Sequence, residues 1–144
     1  MPDPDASPTS HVFVYGTLRA AVAHPLANLL AEHGRPLGNA TCPGALYDVG
    51  PYPAAVASDD PADRIHGEAW LLDPSKADMV LTTLDHYEGC PDGEEGPALY
   101  LRRRIEVTLE GGEIVEAWIW LYNRPLDGLR RIESGDWLRR SENP

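Results

Sequence analysis

The chain has 144 residues, of which 42% are hydrophobic and 24% charged, enough for a core without a structural metal. Its formal net charge of −11 argues against nucleic acid and anionic membrane surfaces, both of which require a basic face. Its 2 cysteines, Cys42 and Cys90, are far apart and form no CxxC pair, so free thiols in a reducing compartment are expected rather than a disulfide framework.

Residues 1–10 are rich in Pro, Asp and Ser and lack the basic and apolar regions of a signal peptide. They are expected to form a disordered tail. No apolar run approaches the roughly 18 residues needed to cross a bilayer, so a cytoplasmic protein is expected. Residues 11–140 are expected to form one domain, followed by a short tail at 141–144.

His11 to Tyr15, HVFVY, is a short apolar run ended by Gly16 and fits a buried strand. Pro25 can open a helix whose Leu26, Leu29, Leu30 and His33 fall at helical spacing, with Gly34 as its C-cap. Leu37–Val49 and Ala54–Ser58 are predicted strands, separated by the turn Gly50-Pro51-Tyr52-Pro53. Ile65–Leu72 is a further strand, and Gly67 within it implies a bulge or a close backbone approach.

Asp73-Pro74 supplies a capping residue and a first-turn proline for a second helix with the apolar face Ala77, Val80, Leu81 and Leu84. Tyr100–Leu109 and Glu113–Tyr122 flank Glu110-Gly111-Gly112 and predict a hairpin. Its second strand is apolar on both faces, with Val115, Ala117, Ile119 and Leu121 on one and Trp118, Trp120 and Tyr122 on the other, as in a barrel covered by helices. Leu126–Ile132 suggests a helical turn, followed by Ser134-Gly135-Asp136-Trp137. The expected fold is α+β: a small mixed β-barrel of about six strands with surrounding short helices.

Glu88 stands out physically. It follows Leu84 by four residues, Leu81 by seven and Ala77 by eleven, and so continues the apolar stripe if the helix runs that far. A carboxylate facing the core near a helix C-terminus has its pKa pushed upward, which suits a general acid–base. The competing reading ends the helix at Asp85 or His86 and leaves Glu88 in solvent, a reading that Gly89 favours.

Tyr15-Gly16-Thr17-Leu18 ends a buried strand and can expose several backbone N–H groups at one spot, as an anion site does. An ordinary strand-ending turn explains the same residues. His86 and Cys90 share helical spacing, but nothing nearby completes a metal site. Arg102-Arg103-Arg104 can pair with the many carboxylates or place one arginine near an acidic site. There is no Ser-His-Asp pattern, P-loop or dinucleotide glycine signature.

Together the segments VYGTLR at 14–19, GPYPAAV at 50–56, HGEAWLL at 66–72, LDHYEG at 84–89, LYLRR at 99–103 and SGDW at 134–137 resemble the gamma-glutamylcyclotransferase-like family. The resemblance runs from about His11 to Trp137 and is strongest to bacterial members and to the gamma-glutamylamine cyclotransferases, which carry a run similar to Glu88-Gly89-Cys90-Pro91. It implies Glu88 as the catalytic acid–base, with Tyr15, Gly16, Thr17, Leu18, Tyr52, Pro53, Tyr100 and Arg102 contacting substrate.

The implied reaction releases an amine or amino acid from a small γ-glutamyl compound as 5-oxoproline forms, and it needs no metal or other cofactor. Two alternatives share the same pocket: a non-catalytic binding module for a γ-glutamyl-like ligand, and a tailoring cyclase acting on a γ-glutamylated metabolite. This sequence departs from many relatives at Ala20-Ala21-Val22-Ala23-His24, where they carry Gly and Asn. Its Cys90–Pro97 segment is also longer and more acidic. The oligomeric state is left open.

Overall fold

In a computed structural model of the protein, residues 10–15, 27–48, 53–87, 100–123, 125–132 and 134–136 are described. In chain order the elements are β1 (His11–Val14), α1 (Ala27–His33), β2 (Gly34–Pro43), β3 (Ala45–Asp48), β4 (Pro53–Val56), β5 (Arg64–Leu72), α2 (Ala77–Tyr87), β6 (Tyr100–Leu109), β7 (Ile114–Tyr122) and β8 (Arg130–Ile132).

Five strands close into a barrel in the order β1-β5-β2-β6-β7, and β4-β3-β8 form a second sheet. The barrel is mixed: β1 pairs with β7 in parallel and with β5 antiparallel. The small mixed barrel with short helices is therefore as expected, but the described residues form eight strands rather than about six.

The extra strands arise at two places. The predicted strand 37–49 breaks at Gly44, whose φ of +146° belongs to a region that side chains avoid. A Cβ there would lie 2.6 Å from the Ile65 side chain. The break lets β2 stay in the barrel while β3 turns away to found the second sheet. The predicted helical turn at Leu126–Ile132 instead ends in a strand, since Leu46, Tyr47 and Asp48 pair with Ile132, Arg131 and Arg130. Tertiary pairing outweighs local propensity there.

Gly34 does not cap α1 in a left-handed conformation; it is already the first residue of β2 and pairs with Leu72. Asp73 does not cap the second helix and Pro74 is not in its first turn: residues 74–76 form turns and the helix starts at Ala77, while the Asp73 Oδ1 closes the turn by accepting from the backbone N–H and hydroxyl of Ser75 at 3.0 and 2.9 Å.

Alternation along the strands sorts the core into two layers. Phe13, Tyr15, Ala40, Cys42, Ile65, Ala69, Val107, Ala117 and Ile119 fill the barrel, joined by Leu46, Ala55 and Ile132 of the second sheet. Val12, Val14, Trp70, Leu72, Tyr100 and Trp120 form the outer layer, covered by Leu30 of α1 and by Ala77, Val80, Leu81 and Leu84 of α2. The expected apolar stripe of the second helix is thus its buried face. Strand β7 contributes to both layers, which explains its two apolar faces. Inside the barrel, burial pushes the Cys42 thiol up to about 12, partly offset by Arg64. It is a packing group rather than a nucleophile.

Candidate active site

Strands β1 and β7 run side by side, with Val12 level with Trp118. The C-terminal ends of both strands therefore lie at the same end of the barrel. Tyr100, the first residue of β6, pairs there with Tyr122. Tyr15, Trp120, Tyr122 and Tyr100 are consequently neighbours, although they come from three separate segments.

Tyr15 is buried and stacks on Phe13 inside the barrel, with ring centroids 6.4 Å apart. Its hydroxyl donates to the backbone carbonyl of Trp120. This bond fixes the point at which β1 ends and residues 16–18 begin. Tyr100 is also buried. Its hydroxyl donates to the carbonyl of Pro53 at 2.6 Å, and its ring meets Tyr122 edge-on at 5.5 Å, a favourable geometry for aromatic pairs. Pro53 opens β4, so the Tyr100 bond fastens the second sheet to the barrel just after residues 50–52.

Arg102 is the cross-strand partner of Trp120. Its guanidinium lies 4.4 Å from the centre of the Trp118 ring, a cation–π contact. Arg104 approaches the same ring at 5.7 Å and pairs with Glu116 at 3.3 Å. Of the three consecutive arginines, Arg102 and Arg104 thus share the outer face. Arg103 is exposed and donates to the carbonyl of Arg102 at 3.0 Å.

Four of the predicted site residues, Tyr15, Pro53, Tyr100 and Arg102, are therefore joined into one structure through Trp120 and Tyr122. Gly16, Thr17, Leu18, Tyr52 and Glu88 lie outside the described residues, as do Pro25, Cys90 and the acidic segment 90–97. The chain leaves the barrel at Leu72, beside His11 and Gly34, and re-enters at Tyr100 at the opposite end. Between them α2 runs through Tyr87, past both Asp85 and His86, where the competing reading ended it, and Glu88 is the next residue.

Sequence reasoning missed Trp120, whose contribution is a backbone carbonyl and so carries no residue-type signal. It also missed Trp118 as the platform for Arg102. The alternation of aromatic residues at 118, 120 and 122 was the available clue.

The gamma-glutamyl cyclotransferase, AIG2-like family model matches residues 12–139. The chain belongs to this family. It is 34% identical to the gamma-glutamylcyclotransferase family protein YtfP of Escherichia coli K12 over 133 residues, covering 91% of this chain and 98% of that protein. The solution NMR structure of the Escherichia coli protein superposes with a TM-score of 0.61 at 32% identity, over 91% of this chain and 98% of that one. Bovine gamma-glutamylaminecyclotransferase is 32% identical over 110 residues, 69% of this chain and 57% of that protein.

Proposed function

We propose that this family member is a cyclotransferase acting on a small γ-glutamyl compound in the cytoplasm, with Glu88 as its general acid–base. In such a substrate the free α-amine attacks the γ-carbonyl of the same molecule. A five-membered ring closes, the amide C–N bond breaks, and 5-oxoproline and an amine separate. Because the nucleophile is already attached, the protein has to fold the substrate and manage protons. Backbone and side chains of Tyr15, Gly16, Thr17 and Leu18 hold the glutamyl group, Tyr52, Pro53 and Tyr100 wall the pocket, and Arg102 lies at its edge. Glu88 takes a proton from the α-ammonium and returns one to the leaving nitrogen. No redox step occurs: the α-nitrogen loses two protons in passing from ammonium to lactam N–H, the leaving nitrogen gains two in departing as an ammonium, and Glu88 ends deprotonated as it began.

The observation that carries this reading is the family match over residues 12–139, with two tyrosine hydroxyls anchoring the chain on either side of the pocket segments. The bonds from Tyr15 to Trp120 and from Tyr100 to Pro53 hold three of the residues assigned to the pocket, Tyr15, Tyr100 and Pro53, in place. Such preorganisation is what an intramolecular attack requires. Among the described residues no helix is long and apolar enough to cross a membrane.

The test is Glu88→Gln, which keeps shape and removes the base. Wild type and variant are incubated with γ-glutamyl amines, γ-glutamyl dipeptides and glutathione, and 5-oxoproline is measured. Release by the wild type and a loss of at least about 100-fold in the variant is expected. Equal rates would overturn the role of Glu88, and no release from any substrate would favour the binding-module alternative.

A further inference from the structure

Three tyrosines gather at the end of the barrel where β6 begins and β7 stops. The hydroxyls of two are spent on the fold: Tyr15 donates to the Trp120 carbonyl and Tyr100 to the Pro53 carbonyl. The third is Tyr122, the last residue of β7 and the cross-strand partner of Tyr100. It is half-buried, and among the described residues its hydroxyl has no hydrogen-bond partner. Its ring is held nonetheless. It meets the Tyr100 ring edge-on, with centroids 5.5 Å apart and planes at 65°, and it packs against the outer layer that contains Trp120. One end of this side chain is thus fixed while its polar tip remains uncommitted, whereas a tyrosine hydroxyl against a packed layer ordinarily finds a partner.

Tyr122 adjoins the part of the proposed pocket that the described residues show directly. Tyr100, which its ring touches, is bonded to Pro53, and both are walls of that pocket. The same outer layer receives Val80, Leu81 and Leu84 of α2. Leu84 precedes Glu88 by four residues in the chain.

A phenol O–H is a hydrogen-bond donor, suited to an oxygen of the substrate rather than to its ammonium. During cyclisation the γ-carbonyl oxygen gains negative charge as the α-nitrogen adds, and loses it as the amide C–N bond breaks. Glu88 works on the two nitrogens. A donor already placed at that oxygen strengthens as the charge develops, and so lowers the barrier more than it tightens ground-state binding. We infer that the Tyr122 hydroxyl donates a hydrogen bond to the γ-carbonyl oxygen of the γ-glutamyl group, keeping its own proton throughout. This inference rests on the γ-glutamyl reading of the site.

The variant that tests it is Tyr122→Phe, which keeps the ring and its contact with Tyr100 and gives up no hydrogen bond to a described residue. Its Tm should stay within about 2 °C of wild type. In steady-state 5-oxoproline formation, kcat should fall about 100-fold, the scale for one lost oxyanion donor, while KM changes little. A binding measurement needs no turnover. 5-Oxoproline retains the former γ-carbonyl as its lactam carbonyl, and cyclopentanecarboxylate has the same ring size and carboxylate without it. By calorimetry the wild type should prefer 5-oxoproline, and Tyr122→Phe should lose about 2- to 10-fold of that preference.

Unchanged kcat and unchanged preference in Tyr122→Phe would overturn the inference while leaving Glu88 in its role. A loss confined to KM would overturn it too, because it marks a contact made equally in the ground state. So would a fall in Tm large enough to account for the lost activity, which would reduce Tyr122 to packing. No turnover and no 5-oxoproline binding by the wild type would overturn this inference together with the γ-glutamyl reading. If the wild type prefers 5-oxoproline through Tyr122 yet turns over no γ-glutamyl substrate, the hydrogen bond stands and the catalytic reading fails.

Discussion

The Tyr100 hydroxyl donates to the Pro53 carbonyl at 2.6 Å, and this single bond joins the first residue of β6 to the first residue of β4. It links the barrel to the second sheet beside the candidate pocket. Tyr100→Phe keeps the ring and its edge contact with Tyr122 but strands a buried carbonyl. The expected cost is about 1–2 kcal/mol, read as a fall in Tm of about 3–6 °C. If residues 50–53 wall the pocket, KM for the accepted γ-glutamyl substrate should rise as well. An unchanged KM with a lowered Tm would limit Tyr100 to a structural role.

Gly67 faces the barrel interior opposite Ala40. A Cβ built there would lie 2.7 Å from the Phe13 ring and nearer still to the Val14 carbonyl. Of the two meanings a strand glycine can carry, this is the close backbone approach. The obstacle is the backbone of β1 immediately before Tyr15, so it cannot rotate away. Gly67→Ala is expected to cost about 2–3 kcal/mol or more, measured by urea unfolding. Gly111 is the control, because among the described residues nothing lies within 4 Å of the point a Cβ would occupy there. Gly111→Ala should stay within about 0.5 kcal/mol.

These two residues show what was legible in advance. Gly67 was conspicuous because glycine weakens a strand unless space demands it. The buried stripe of α2 and the doubly apolar β7 were equally readable, because burial imposes periods of 3.6 and 2 on residue type. The division of 37–49 at Gly44 was not readable, since one glycine inside an apolar run does not say which sheet the chain joins next. Strand β8 was missed for a related reason: Arg130 and Arg131 have no strand signature and pair only because β3 offers an open edge. In the site, the family resemblance singled out Tyr15 and Tyr100 as substrate contacts, whereas the bonds of their hydroxyls to the backbone carbonyls of Trp120 and Pro53 were not legible, because a backbone acceptor carries no residue-type signal.

A pH-dependent contribution to stability is expected where β8 meets the loop before β5. The Ser58 hydroxyl donates to Asp63 Oδ2 at 2.5 Å, and the Arg131 guanidinium donates to Oδ1. The Ser58 bond first and the Arg131 bond second hold the Asp63 carboxyl below the usual carboxylate range. A carboxyl whose pKa is depressed by folding stabilises the native state above its unfolded value, near about 3.9, and loses that contribution as pH falls through its folded value. Asp63→Asn should therefore lower Tm at about pH 7. The gap between wild type and variant should hold down to about pH 5 and close progressively below about pH 4. A parallel series on Arg131→Gln distinguishes the ion pair from the Ser58 bond, since the serine contribution should survive in that variant. A gap that stays constant through acid pH would show that the Asp63 charge contributes nothing and that the loop is held by other bonds, such as that from the Gly44 N–H to the Asp63 carbonyl at 3.2 Å.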